Sequence, residues 1–317
     1  MSDQNDNWER KVLEKLALSA LQEQRRARRW GIFFKLLTFA YLFFLFVLLA
    51  DLAGDGSDGM PGGKHTALVD VNGVIAADSM ANADNLIASL QDAFADSHTA
   101  GVILRINSPG GSPVQAGLVN DEIKRLRALH PDIPLHVVVE DMCASGGYYI
   151  AAAADNIYVN KASIVGSIGV LMDGFGFTGT MQKLGVERRL MTAGENKGFM
   201  DPFSPLNPKH EAFTKSLLEN IHQQFIAVVR EGRGARLHET PEMFSGLFWT
   251  GDKAIQMGLA DAIGSVDSVA RDVIKAETVI DYTAHENIAD RLAKKLGAGV
   301  ASMFPGFGAQ GEGMTLR

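Results

Sequence analysis

The stretch GIFFKLLTFAYLFFLFVLLA, residues 31 to 50, holds a single charge, Lys35, and has no polar face. As a helix rising about 1.5 Å per residue it would reach roughly 30 Å, the thickness of a bilayer's hydrocarbon core. Lys35 lies near its start, where a long side chain snorkels to the headgroups. A helix buried in a soluble core is the competing reading, but such helices keep a polar stripe facing water.

The flanks give this run a direction. Arg25, Arg26, Arg28 and Arg29 stand before it, while Asp51, Asp55 and Asp58 follow. Cytoplasmic flanks are the ones enriched in Lys and Arg, so residues 1–30 are expected in the cytoplasm and everything after residue 53 across the membrane. A cleaved signal peptide has a shorter apolar stretch and a small-residue cleavage site, and no clean A-x-A site follows the run. The expectation is a retained anchor over 31–53, a Gly- and Asp-rich linker over 54–65 and a folded body over 66–285. Residues 286–317 are read as an amphipathic helix with a disordered tail.

Across the body, short apolar runs alternate with helical periodicity. ALVDVNGVI reads as a strand, NADNLIASLQDAFAD as an amphipathic helix and AGVILRINS as a buried strand. PVQAGLVNDEIKRLRAL is a helix, PLHVVVE a buried strand, SGGYYIAAAA a helix and NIYVN a strand. NPKHEAFTKSLLENIHQQFIAVVREGR reads as one long amphipathic helix, and FWTGDKAIQMGLADAIGS as turn, helix and return strand. Alternation of this kind implies crossover units and a largely parallel sheet, an α/β fold. The net charge of −7 argues against general nucleic-acid binding. A single cysteine, Cys143, excludes an intrachain disulfide and a Cys-rich metal site.

Chemistry concentrates where strands end. In VEDMCASGGYYIAAAAD, Ser145 separates an apolar strand from a run of small residues, and Gly146 and Gly147 follow it. Such a serine caps a helix, or it is a nucleophile presented at the carboxyl end of a sheet beside free N–H groups. INSPGGSP likewise ends a strand in consecutive glycines, Gly110 and Gly111, whose amides could complete an oxyanion hole. A serine nucleophile needs a base. No histidine stands between Ser145 and His210, and His130 and His136 flank the far end of the strand PLHVVVE. Lysine is the alternative base. Lys197 lies in TAGENKGFMDPFSPLNP, a loop bounded by Gly and Pro, where a solvated surface charge is the plain alternative. Ser167, in VGSIGV, is either a turn serine or a hydroxyl that helps orient the base.

Five motifs, NSPGG (107–111), ASGGYYIAAAAD (144–155), GSIGV (166–170), GENKGFMDPFSP (194–205) and FWTGDKAIQMGLAD (248–261), resemble in order the signal peptide peptidase A family. These are the membrane-anchored serine peptidases of class S49, and the resemblance covers about residues 66–280. It implies a crotonase/Clp-protease-like α/β fold after one transmembrane helix, with protomers gathered in a ring or dome. It makes Ser145 the nucleophile, Lys197 the general base, and Gly110 or Gly111 together with Gly146 the oxyanion donors. It implies no metal and no cofactor. The implied substrates are signal-peptide remnants and other unfolded apolar peptides, cut on the extracytoplasmic side of a bacterial inner membrane. Sites shared between protomers are also implied, with Lys197 of one chain serving Ser145 of the next. Three alternatives stay open: a Clp-like Ser-His-Asp protease, acyl-CoA chemistry on the same fold, and a non-catalytic membrane scaffold.

Overall fold

The computed structural model describes residues 25, 26, 28–46 and 63–284. The chain divides into two units, Met1–Pro61 and Gly62–Arg317. In the first, helix α1, Arg28–Phe46, is long and apolar enough to cross a membrane, and none of it is buried within the chain. Thr38 turns its hydroxyl onto the Phe34 carbonyl at 2.8 Å, so that donor is satisfied inside the helix. Most of the expected cytoplasmic segment and linker, and all of the expected C-terminal helix and tail, lie outside the described residues.

The second unit is built as the alternation implied. Strand β1 (His65–Asn72) leads through helix α2 (Ala83–Ala95) to β2 (Thr99–Ser108), and through α3 (Pro113–Leu129) to β3 (Leu135–Ala144). Helix α4 (Gly146–Ala151), β4 (Asn156–Val159), β5 (Ile164–Gly166) and α5 (Thr178–Leu184) follow. The chain then forms α6 (Pro208–Arg233), β6 (Phe248–Thr250), α7 (Gly251–Gln256), β7 (Ala262–Ile263) and β8 (Val279–Asp281). The sheet runs β6-β5-β3-β2-β1-β8, with β4 joining β3 to β7 off that path. All pairs are parallel except β5 with β6. The expected α/β class and the single N-terminal apolar helix are both present.

Successive strand residues face opposite sides of the sheet. Val69, Leu104 and Val137 pack with Leu90 and Phe94 of α2 and Ile123 of α3. Their neighbours Leu68, Ile103 and Val138 pack on the other face against Val269 and Ala270. Cover on both faces explains why these strands read as continuous apolar runs. Helix starts are equally local: the Asn82 side chain accepts from Asn85 N–H ahead of α2, and Ser112 caps α3 with Pro113 next.

Two features position the site. Strand β3 forks: its first half, from His136 to Val138, pairs with β4, and its second, from Met142 to Ala144, pairs with β5. Ser163 sits at the fork and donates its hydroxyl to the Glu140 carbonyl at 2.5 Å. Long helix α6 is tied to the sheet by Arg233, whose fully buried guanidinium meets Asp261 at 2.8 Å and the Gly258 carbonyl at 2.8 Å. Asp261 in turn accepts from Ile157 N–H at 2.7 Å, which links α6 to β4. Helix α4 is shorter than the Ala run implied, ending at Ala151. The chain turns there so that Asp155 can accept from Leu135 N–H at 2.9 Å and pair with Arg127.

Candidate active site

Strand β3 delivers Ser145 to the edge of a cleft. It ends at Ala144, α4 begins at Gly146, and Ser145 between them adopts φ 51° and ψ −121°. A non-glycine residue at positive φ is strained by about 1–3 kcal/mol and persists only where its surroundings hold it. Here Ser145 N–H donates to the Gly166 carbonyl at 2.8 Å, and the Ser145 carbonyl accepts from Tyr149 N–H at 2.9 Å. The hydroxyl takes no part in capping α4. That removes the helix-cap reading, because a capping side chain accepts from the first turn. Tyr148, fully buried, fastens the same helix by donating its hydroxyl to the Leu259 carbonyl at 2.8 Å.

The glycine loop after β2 closes on this turn. Gly110 N–H donates to the Ser108 hydroxyl at 3.0 Å, and the Gly110 carbonyl accepts from Ile75 N–H at 2.9 Å, so both its polar groups are engaged. Gly111 N–H has no acceptor among the described residues. Gly146 heads α4, and a first-turn N–H has no intrahelical acceptor. The two amides are neighbours: the first carbon of a side chain on Gly146 would lie 3.2 Å from Gly111 N. At Gly110, with φ +98°, that carbon would lie 2.6 Å from Gly146 N and 2.7 Å from Ser145 Cβ. Glycine is the residue this contact admits.

Ser145, Gly111 and Gly146 line a cleft of about 560 Å³, and Ser167 lines it with them. Ser167 also stands at φ 51°, and its N–H donates to the Leu247 carbonyl at 2.8 Å. Much of the remaining wall is apolar, with Tyr149, Leu171, Ile221 and Phe225. The adjacent thiol of Cys143 is fully buried, and burial pushes its pKa up, which keeps it protonated and inert.

No carboxylate, imidazole or amine lines the cleft among the described residues. Among the described residues, a Ser-His-Asp set is therefore not assembled around Ser145. Lys197 lies elsewhere: it is exposed in a run of turns, its N–H donating to the Gly194 carbonyl at 3.1 Å. The structure thus gathers Ser145, Ser167, Gly111 and Gly146, places Gly110 against them, and leaves Lys197 off the cleft of its own chain. Sequence reasoning missed Ser108, which occupies the Gly110 N–H, and the wall supplied by α6. Ile221 and Phe225, one helical turn apart, carry a signal for that wall, but only as an amphipathic period.

A model of peptidase family S49 matches residues 127–279. The Na(+)/H(+) antiporter NhaA of Brucella melitensis is 48% identical over 182 residues, covering 57% of this chain and 25% of that protein. The chain spans about a quarter of the length of that relative and of its Brucella abortus equivalent, so transport is not carried over. The putative signal peptide peptidase SppA of Enterococcus faecium is 29% identical over 231 residues, covering 70% of this chain and 67% of that protein. Among solved structures, a mutant of the membrane-bound stomatin-specific protease 1510-N aligns over 71% of this chain and 96% of that one. Its identity is 13% and its TM-score 0.37.

Proposed function

Because the chain belongs to peptidase family S49, we propose that it is a membrane-anchored serine endopeptidase using Ser145 as nucleophile and Lys197 as general base. The observation that carries this reading is the uncapped hydroxyl of Ser145, held at positive φ beside the unengaged N–H groups of Gly111 and Gly146. The amine of Lys197 takes the Ser145 proton as Oγ bonds to the scissile carbonyl carbon. Gly111 and Gly146 donate to the oxyanion that forms, while Gly110, its own N–H engaged, shapes the turn. The protonated amine then gives its proton to the leaving nitrogen as the C–N bond breaks, and an acyl-enzyme remains. Water, activated by the same amine, releases the acid and restores Ser145. Ser167 lines the cleft where its hydroxyl can orient the incoming amine.

Since no base lines the cleft among the described residues, the Lys197 that serves it comes from a neighbouring copy. The segment between β5 and α6 supports this, because Phe175 is 80% exposed and Met191 90% exposed, apolar surface that a second protomer would cover. Substrates are apolar, unfolded peptides such as signal-peptide remnants, matched to the walls at Tyr149, Leu171 and Phe225. With α1 as anchor and basic residues before it, the peptidase unit lies on the extracytoplasmic side of a bacterial inner membrane.

Purified protein treated with a fluorophosphonate should be labelled at Ser145 and lose peptide hydrolysis in step. Ser145→Ala should be unlabelled and inactive, since nucleophile loss in such enzymes costs about 10⁶ in kcat. Hydrolysis that survives in Ser145→Ala excludes the reading.

A further inference from the structure

Helix α6 sends Ile221 and Phe225 to the cleft wall, and His222 beside them makes a different contact. Its Nε2 lies 3.2 Å from the Ile168 carbonyl. A carbonyl oxygen only accepts, so Nε2 carries the proton in this bond. Ile168 is fully buried, and among the described residues no backbone N–H outside helices and strands donates to its carbonyl. A buried carbonyl without a donor is costly, so the imidazole fills a structural need at that atom.

The need matters because of what Ile168 adjoins. Ser167 before it stands at φ 51° and lines the cleft. Gly166 before that offers its carbonyl to Ser145 N–H at 2.8 Å, one of the two bonds holding Ser145 at positive φ. On the other side Gly169 presses on Gly246, where the first carbon of a side chain would lie 2.9 Å from Gly246 Cα. The stretch 166–169 is therefore held by the strand pairing of β5, by Leu247, by Gly246 and by His222. Three of these holds are backbone contacts; His222 adds a side-chain hydrogen bond, beside the Trp249 ring that packs against Gly166.

We propose that His222 is a positioning residue for the peptidase reaction, fixing the Ile168 peptide so that Ser167 and the Gly166 carbonyl keep Ser145 in its strained, reactive conformation. This rests on the assignment of Ser145 as nucleophile. The imidazole touches neither substrate nor reacting atoms, and any side chain that delivers one N–H to the same carbonyl would serve. Glutamine reaches far enough to do so with its amide.

The test uses the full-length protein in detergent, with His222→Ala, His222→Gln and Ser145→Ala compared on one soluble apolar peptide and on fluorophosphonate labelling. His222→Ala should lower kcat about five- to tenfold, the scale of one lost hydrogen bond, and slow labelling of Ser145 in proportion. KM should move less than kcat, and His222→Gln should recover most of both rates, together with part of the thermal midpoint that His222→Ala loses. Wild-type kcat in His222→Ala overturns the proposal, and so does equal impairment of the alanine and glutamine variants, which would mean packing alone. Unchanged labelling in His222→Ala also overturns it, even if hydrolysis falls. The Ser145→Ala arm separates the two claims. If Ser145→Ala is inactive while His222→Ala is normal, the His222 inference alone fails; if Ser145→Ala still hydrolyses the peptide, the nucleophile assignment fails.

Discussion

At Gly110 the loop after β2 touches the backbone of Ser145 and Gly146, since any side chain there would begin 2.6 Å from Gly146 N. Gly110→Ala must push the loop outward and carry Gly111 N–H away from the oxyanion. A kcat loss on the order of a hundredfold is expected, the effect of removing one oxyanion donor. Steady-state kinetics on a soluble peptide checks it, and a variant with wild-type kcat would show that the loop yields without consequence. Lys197→Arg should be as inactive as Lys197→Ala, because a guanidinium keeps its proton and cannot act as base. The place of Ser145 at a strand–helix junction was legible, because a hydroxyl and two glycines interrupt the apolar run there; whether it caps the helix was not, since that turns on its φ of 51°. The choice between Gly110 and Gly111 was not, because it depends on the Ser108 hydroxyl, which in sequence is merely the end of a strand. The side-chain hold supplied by His222 was equally silent, being one histidine in an amphipathic helix.

Among elements, α6 and β7 are joined through Asp261, which pairs with Arg233 at 2.8 Å and with Arg236 at 3.3 Å. Partial burial pushes the Asp261 carboxyl up, but hydrogen bonds from Arg233 and from Ile157 N–H push it down further, leaving it below the usual carboxylate range. Its contribution to stability is complete above about pH 4, the unfolded carboxylate value, and is lost as pH falls through the lower folded value. Asp261→Asn leaves the buried Arg233 charge unpaired and should cost about 3–5 kcal/mol at neutral pH. The same variant should lose part of the acid-side fall in stability, which denaturant titrations of both proteins between neutral and acid pH would reveal. An acid limb identical to wild type would place the titration in other carboxylates. Strands β1 to β3 were legible because burial on both faces leaves short apolar runs, ALV, GVIL and VVV, at their centres. β5, three residues long, and α5, with no buried residue, carry no periodic signal, and pairing with β3 and β6 decides β5 instead.

The molecule as a whole raises the question of how many chains make one site. Mixed oligomers of Ser145→Ala and Lys197→Ala chains should recover part of the activity that each lacks alone, because some interfaces join one intact serine to one intact lysine. Verified mixtures with no hydrolysis would confine the site to single chains. Orientation has its own check: an extracytoplasmic reporter fused after residue 63 should be active, and one fused after residue 24 silent. Helix α1 has a kinetic consequence as well. With α1 in a bilayer, the peptidase and a membrane-borne peptide meet in two dimensions, so their encounter follows substrate per unit area, not per unit volume. Adding empty micelles or lipid should then slow cleavage of an apolar, bilayer-partitioned peptide at fixed total concentration. Cleavage of a water-soluble peptide by the same enzyme should be indifferent to that dilution.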